Sequence, residues 1–151
     1  MPLSGKTTWI KKNVPDGTRI ISRDDIISEL SNNTNYNEAW HSVKDKEVNK
    51  VLYQSYLDSN KNRENVVIDM TFMRSKRRRI TLDYYKKEYY KLGVTFPFLT
   101  KEEYEFRNGK RKREENKHIP YGVVEKMMSD FQPINQVEEG FDKIIKAYAS
   151  K

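Results

Sequence analysis

Ser4-Gly5-Lys6-Thr7-Thr8 sets a glycine, a lysine and two hydroxyls side by side. Backbone N–H groups of a glycine turn wrap phosphate oxygens, the lysine meets the outer phosphates, and the next hydroxyl ligates magnesium. Together they make the second half of the Gly-x-x-x-x-Gly-Lys-Ser/Thr phosphate loop. The segment Met1 to Thr8 is therefore read as a loop for a nucleoside triphosphate, with Ser4, Gly5, Lys6, Thr7 and Thr8 holding ATP and Thr7 also holding Mg2+. The first glycine of the motif and the strand that launches it would fall ahead of Met1. The expected sheet thus lacks its first, central strand, with a gap or a substitute in its place.

Further along stand groups that phosphoryl transfer requires: a base to orient the nucleophile and cations for the equatorial oxygens. Ser22-Arg23-Asp24-Asp25 closes an apolar strand, and Asp24 is the candidate base; the alternative is that Asp24 or Asp25 caps the following helix, a use that suits Asp25 better. Asp69 ends the strand Asn65-Val66-Val67-Ile68-Asp69, where an acid commonly orients magnesium or its water, and Thr71 lies beside it on the ligand side. Arg107 to Lys117 is too basic for a core and is read as a lid over bound phosphates, in which an arginine contributes roughly 10³ to 10⁵ in rate. Arg74, Lys76, Arg77, Arg78 and Arg79 open a helix against its dipole. They are read as a nucleic-acid backbone contact or as a solvated face.

The order of these motifs, with His118-Ile119-Pro120, Phe131-Gln132-Pro133 and Glu139-Gly140-Phe141-Asp142 closing the series, resembles the kinase domain of 5′-hydroxyl polynucleotide kinases, of both the phage and the animal repair type. The resemblance spans almost the whole chain. It implies ATP- and Mg2+-dependent transfer of a phosphate to the 5′-hydroxyl end of DNA or RNA. Asp24 would be the general base, Lys6 the phosphate-loop lysine, Thr7 the magnesium hydroxyl and Arg111 the lid arginine, with Arg107 or Arg113 as other registers. Arg107 and Arg111 would face the nucleotide, and Arg23, Asp69 and Thr71 the acceptor. Two substrate-side positions differ from the phage pattern, which has arginine where Ile27 stands and asparagine where Phe72 stands. No Asp-x-Asp-x-Thr phosphatase motif accompanies the kinase motifs, so the expected role is phosphorylation only. A P-loop kinase for a small molecule, such as a nucleoside or an antibiotic, and a catalytically weak nucleotide- or nucleic-acid-binding module are the other readings.

The elements that must position these groups alternate strand and helix, the pattern of an α/β P-loop kinase-like fold with a parallel sheet and flanking helices. The pattern predicts a helix from Gly5 or Lys6 to Asn13, ended by Val14-Pro15-Asp16-Gly17, and a strand Thr18 to Ser22. A short helix around Asp25 to Leu30, a polar loop Ser31 to Asn37 and one long helix Glu38 to Ser59 follow. After the strand Asn65 to Asp69 comes a helix capped by Ser75 and terminated by Gly93, carrying Tyr84, Tyr85, Tyr89 and Tyr90 as core and interface residues. A strand Val94 to Leu99, a helix from Lys101, a helix led by Pro120 and a strand Asp142 to Tyr148 complete the chain.

Composition bounds the rest. The 151 residues suit one kinase domain, with the lid near 107–117, large enough to bury roughly 70% of its unfolded surface. With no cysteine, thiolate zinc sites, disulfides and a cysteine nucleophile are excluded. A net charge of +7 favours acidic partners, nucleotides and nucleic acid among them. The absence of a long apolar run predicts a cytoplasmic chain with no membrane partner, and oligomeric state is left open. His41 and His118 read as surface or structural groups.

Overall fold

A computed structural model describes residues 2–32, 36–85, 87–115 and 117–147, with backbone alone at 36, 37 and 115. Met1, Asn116 of the expected lid, part of the polar loop and Tyr148 lie outside the described residues. The chain forms two compact units, one of Met1–Val14 with Thr71–Lys151 and one of Pro15–Met70. Short parallel strands flanked by helices make it an α/β fold.

In the second unit, β1 (Arg19–Ser22) runs parallel to β2 (Val66–Asp69), with Ile21 opposite Ile68 and Ser22 opposite Asp69. Helix α2 (Arg23–Ser31) follows β1 without a loop and buries Ile26 and Ile27. The expected long helix is two helices, α3 (Tyr36–Ser42) and α4 (Asp45–Lys61). Extended backbone at Lys44 makes the break, and its carbonyl then accepts from Glu47 and Val48 to start α4. The break resets the register, so Val48, Leu52, Tyr56 and Ser59 form one buried stripe at helical spacing.

In the first unit, α1 (Lys6–Asn13) has the expected bounds, and Trp9 on it meets Phe96 edge-on at 6.4 Å. Helix α5 (Ser75–Asp83) ends well short of the expected Leu92, leaving Tyr85 buried and Tyr90 exposed beyond it. Gly93 is no helix terminator. It sits within β3 (Leu92–Thr95), parallel to β4 (Lys143–Lys146), where an added Cβ would lie 3.2 Å from the Phe141 ring. Among the described residues the two strand pairs are separate two-stranded sheets.

Helix α6 (Lys101–Glu115) begins with a reciprocal capping box, Thr100 Oγ1 accepting from the Glu103 N–H and Glu103 Oε2 from the Thr100 N–H. The basic run from Arg107 is therefore the second half of a helix. Helices α7 (Tyr121–Asp130) and α8 (Gln136–Glu139) follow, the latter capped by Asn135.

The basic cluster on α5 is not all solvated or available to a polynucleotide. Arg78 is 3% exposed and its guanidinium is fully engaged. Nε donates to Glu139 Oε2 at 2.5 Å and Nη2 to Glu139 Oε1 at 2.7 Å; Nη1 donates to the Phe72 carbonyl and Nη2 to the Gln132 carbonyl. Such a planar fork with bidentate carboxylate pairing is what arginine, unlike lysine, provides. Nor does Ser75 cap α5. The Gln132 side chain accepts from the Ser75 N–H at 2.9 Å, so the segment after α7 supplies the cap. No helix among the described residues is long and apolar enough to cross a membrane.

Candidate active site

The phosphate loop is a tight turn with two residues in the left-handed region, Leu3 at φ 59° and Gly5 at φ 93°. Glycine adopts that region freely, whereas a leucine there costs about 1–2 kcal/mol. A Cβ at position 5 would meet no atom within 4 Å, so backbone conformation, not space, makes glycine the suitable residue. Ser4 between them is buried.

Helix α1 starts directly after this turn. Its cap residue Gly5 offers no side-chain acceptor, and its first turn has no acid, while Lys11 and Lys12 complement the other end. The amino-terminal N–H groups and dipole of such a helix suit an anion, so the loop fits the phosphates expected of it. No group of three or more His, Asp or Glu suited to a metal exists among the described residues. A magnesium ion here would depend on the Thr7 hydroxyl and the phosphates themselves, the usual arrangement for this ion.

Helix α6 reaches the loop. Arg107 Nη1 donates to the Leu3 carbonyl at 3.0 Å. Its neighbour Asn108, expected only as part of a basic lid, is buried and grips the main chain of Ile119 from both sides: Nδ2 donates to the carbonyl at 2.8 Å and Oδ1 accepts from the N–H at 3.2 Å. Tyr104 donates its hydroxyl to the same carbonyl at 2.6 Å. Burial pushes the Tyr104 phenol up, and the positive charge of Arg111 partly offsets this. Arg111 lies one turn beyond Arg107 and is half-buried. The Ile119 carbonyl thus anchors α6 to the His118-Ile119-Pro120 segment, while His118 is exposed. Replacing Asn108 with alanine strips a partner from two main-chain groups and is expected to cost about 1–3 kcal/mol in urea unfolding; a loss below about 0.5 kcal/mol would remove the anchoring role.

The second unit carries the other expected residues. Asp69 and Ser22 are register partners at the carboxyl ends of β2 and β1, where parallel sheets place ligands. The cap of α2 is Ser22, whose hydroxyl accepts from the Asp25 N–H at 3.4 Å; neither aspartate has to cap the helix. Both occupy the exposed first turn of α2, where the dipole favours negative charge. Arg23 turns toward α4, donating to Asp45 at 2.6 Å and Asn49 at 3.1 Å, with its guanidinium 5.9 Å from the Trp40 ring. Ile27 is 3% exposed, a core residue where the phage pattern has a substrate-facing arginine. Thr71 is exposed and opens the part of the first unit that resumes after Met70.

Residues 1–134 match the family model described as an AAA domain. The chain belongs to the AAA domain family. The match runs from the phosphate loop through α7, so both units contribute to this AAA domain. It makes the chain a P-loop NTPase- or kinase-like domain, and a P-loop domain implies nucleotide binding. No curated protein matches the chain.

Two parts of the AAA domain's candidate site were not foreseen from sequence. Leu3 carries no signal of positive φ, since leucine rarely adopts it. Asn108 had one available signal: an amide inside a charged helical run, where it has low helix propensity, suggests a specific partner.

Proposed function

We propose that this domain is a kinase that transfers the terminal phosphate of ATP, with Mg2+, to the 5′-hydroxyl end of DNA or RNA. The observation that carries the phosphate-transfer reading is the left-handed Gly5 turn running straight into α1, whose first turn holds no acid. The acceptor reading is supported by the motif order and by exposed cations at the start of α5, Arg74 at its cap and Lys76 and Arg79 within it.

In this reading residues 1–151 are one kinase domain, with the second half of α6 as its lid. Ser4, Gly5, Lys6, Thr7 and Thr8 hold the nucleotide, and the Thr7 hydroxyl would hold magnesium, which would neutralise phosphate charge. Asp24 accepts the proton of the attacking 5′-hydroxyl as its oxygen bonds to the γ phosphorus; the bond to the bridging oxygen breaks and its electrons leave with ADP. Lys6 and Arg111 stabilise the charge on the transferred group. Arg107 stands at the nucleotide loop, and Arg23, Asp69 and Thr71 serve the acceptor side. Buried Ile27, in place of a substrate-facing arginine, favours a second reading in which the acceptor is a small molecule such as a nucleoside.

An oligonucleotide with a free 5′-hydroxyl and γ-labelled ATP separate the two. The expected result is label on the oligonucleotide 5′ end, with affinity for the strand falling steeply as salt rises because backbone cations are displaced. Label on a nucleoside and none on the oligonucleotide would establish the second reading instead.

A further inference from the structure

We infer that Arg107 is a positioning residue for the phosphate loop: by holding the Leu3 carbonyl it fixes which way the Leu3–Ser4 peptide faces, and so aims the Ser4 N–H. This rests on reading residues 2–8 as a phosphate loop.

Leu3 sits at φ 59°, a conformation that a side chain with a Cβ disfavours. Something must hold it there. Arg107 Nη1, a charged donor reaching across 104 positions of sequence, hydrogen-bonds the Leu3 carbonyl at 3.0 Å. In a trans peptide the carbonyl and the following N–H point in opposite directions, and no cis peptide bond is present among the described residues. With the Leu3 oxygen turned to Arg107, the Ser4 N–H is turned away from it. Were Leu3 to relax to negative φ, this peptide would rotate and the N–H direction would be lost.

Arg107 itself is held on a fixed base. The next residue, Asn108, is buried and bonded to both main-chain groups of Ile119, so the turn of α6 that carries Arg107 is anchored to another segment. The arginine nearest the loop therefore works on the protein's own carbonyl. Arg111, one helical turn farther along, is the separate cation of this helix for the phosphate.

The test is ADP and ATP affinity, by calorimetry, of the full chain and of Arg107→Ala, Leu3→Gly and the double variant. Arg107→Ala is expected to weaken both nucleotides by about tenfold, the size of one lost charge-assisted hydrogen bond. Glycine adopts positive φ without strain, so Leu3→Gly in the Arg107→Ala background is expected to recover at least about threefold of that loss. Arg107→Lys keeps a donor long enough to reach the carbonyl and is expected to stay within about threefold of the parent, serving as the second variant if alanine unfolds the chain.

Unchanged affinity in Arg107→Ala overturns the inference. So does a loss that Leu3→Gly fails to recover, or one confined to ATP, since either outcome means that Arg107 touches phosphate directly. If the parent chain binds neither nucleotide, the phosphate-loop reading itself fails, and the inference falls with it.

Discussion

Asp24→Ala is expected to lower phosphate transfer by about 10²–10⁴-fold, the range for a lost general base, while ATP affinity stays within about twofold. Two features make this a sharp expectation. The carboxylate lies in the exposed first turn of α2, and the capping of that helix is performed by Ser22, so removing Asp24 does not remove a cap. Phosphoryl transfer also asks little covalent work of the protein, so the loss reports orientation of the hydroxyl and capture of its proton. Single-turnover transfer and equilibrium ATP binding should be measured side by side. Undiminished transfer would show that Asp24 is not the base; a parallel collapse of ATP binding or of thermal stability would mean that the residue is structural.

The second large effect concerns stability. Arg78→Ala, or Glu139→Ala, is expected to cost about 3–5 kcal/mol, because each leaves a buried charge without its partner. Replacing both with apolar residues of similar volume should cost much less than the sum of the two losses. The pair also sets an acid limit. Burial alone raises the Glu139 carboxyl, but hydrogen bonds from Arg78 and the Asn135 N–H, with the charges of Arg78 and Arg79, outweigh it and hold the group below the usual carboxylate range. A depressed folded value means stability that is complete above the unfolded value of about 4.3 and is lost as pH falls through the folded one. Urea unfolding from neutral pH down to about 3 should show this decline in the parent and a flatter one in Glu139→Gln. Equal slopes would deny the pair its part in acid sensitivity, and a small cost for either alanine variant would deny its part in the fold.

Features set by local chemistry were readable from the sequence. Gly5 and the Pro15-Asp16-Gly17 turn bracket α1, and its bounds are as expected. The positions of β1, β2 and β4 followed from short apolar runs, whereas β3 (Leu92–Thr95) starts two residues ahead of the expected Val94 to Leu99 and stops at Thr95. The break between α3 and α4 was hidden because Val43-Lys44-Asp45 contains neither proline nor glycine, and the backbone turns there to bury Val48. Gly93 misled in the opposite sense: its small size serves the close approach of Phe141 across the strand pair, which only tertiary packing reveals.

The least legible residues were the arginines. In a run of cations nothing local separates Arg78 from Arg79, since the deciding partner, Glu139, is 61 positions away. Arg107 poses the same problem over a longer span, and Leu3 offers no hint that its carbonyl is the target. The nucleotide side of the candidate site was thus legible as a motif, and its supporting bonds were not. Among the residues proposed for catalysis and the acceptor, Asp69 could be placed at a strand end and Asp24 just after one from sequence, but the turning of Arg23 toward Asp45 depends on how α2 packs against α4.

The division of the chain has a consequence for the timing of folding. Pro15–Met70 is continuous and makes its own parallel pair and helical core. The first unit is discontinuous: its opening segment, with the phosphate loop, packs with residues after Thr71. Chains emerge from the ribosome at about 5–20 residues per second and fold by units as these become complete. The inserted unit therefore has all its partners seconds before α6 arrives to offer Arg107. Leu3 leaves the ribosome 104 residues ahead of Arg107, so the bond between them forms only after α6 has followed.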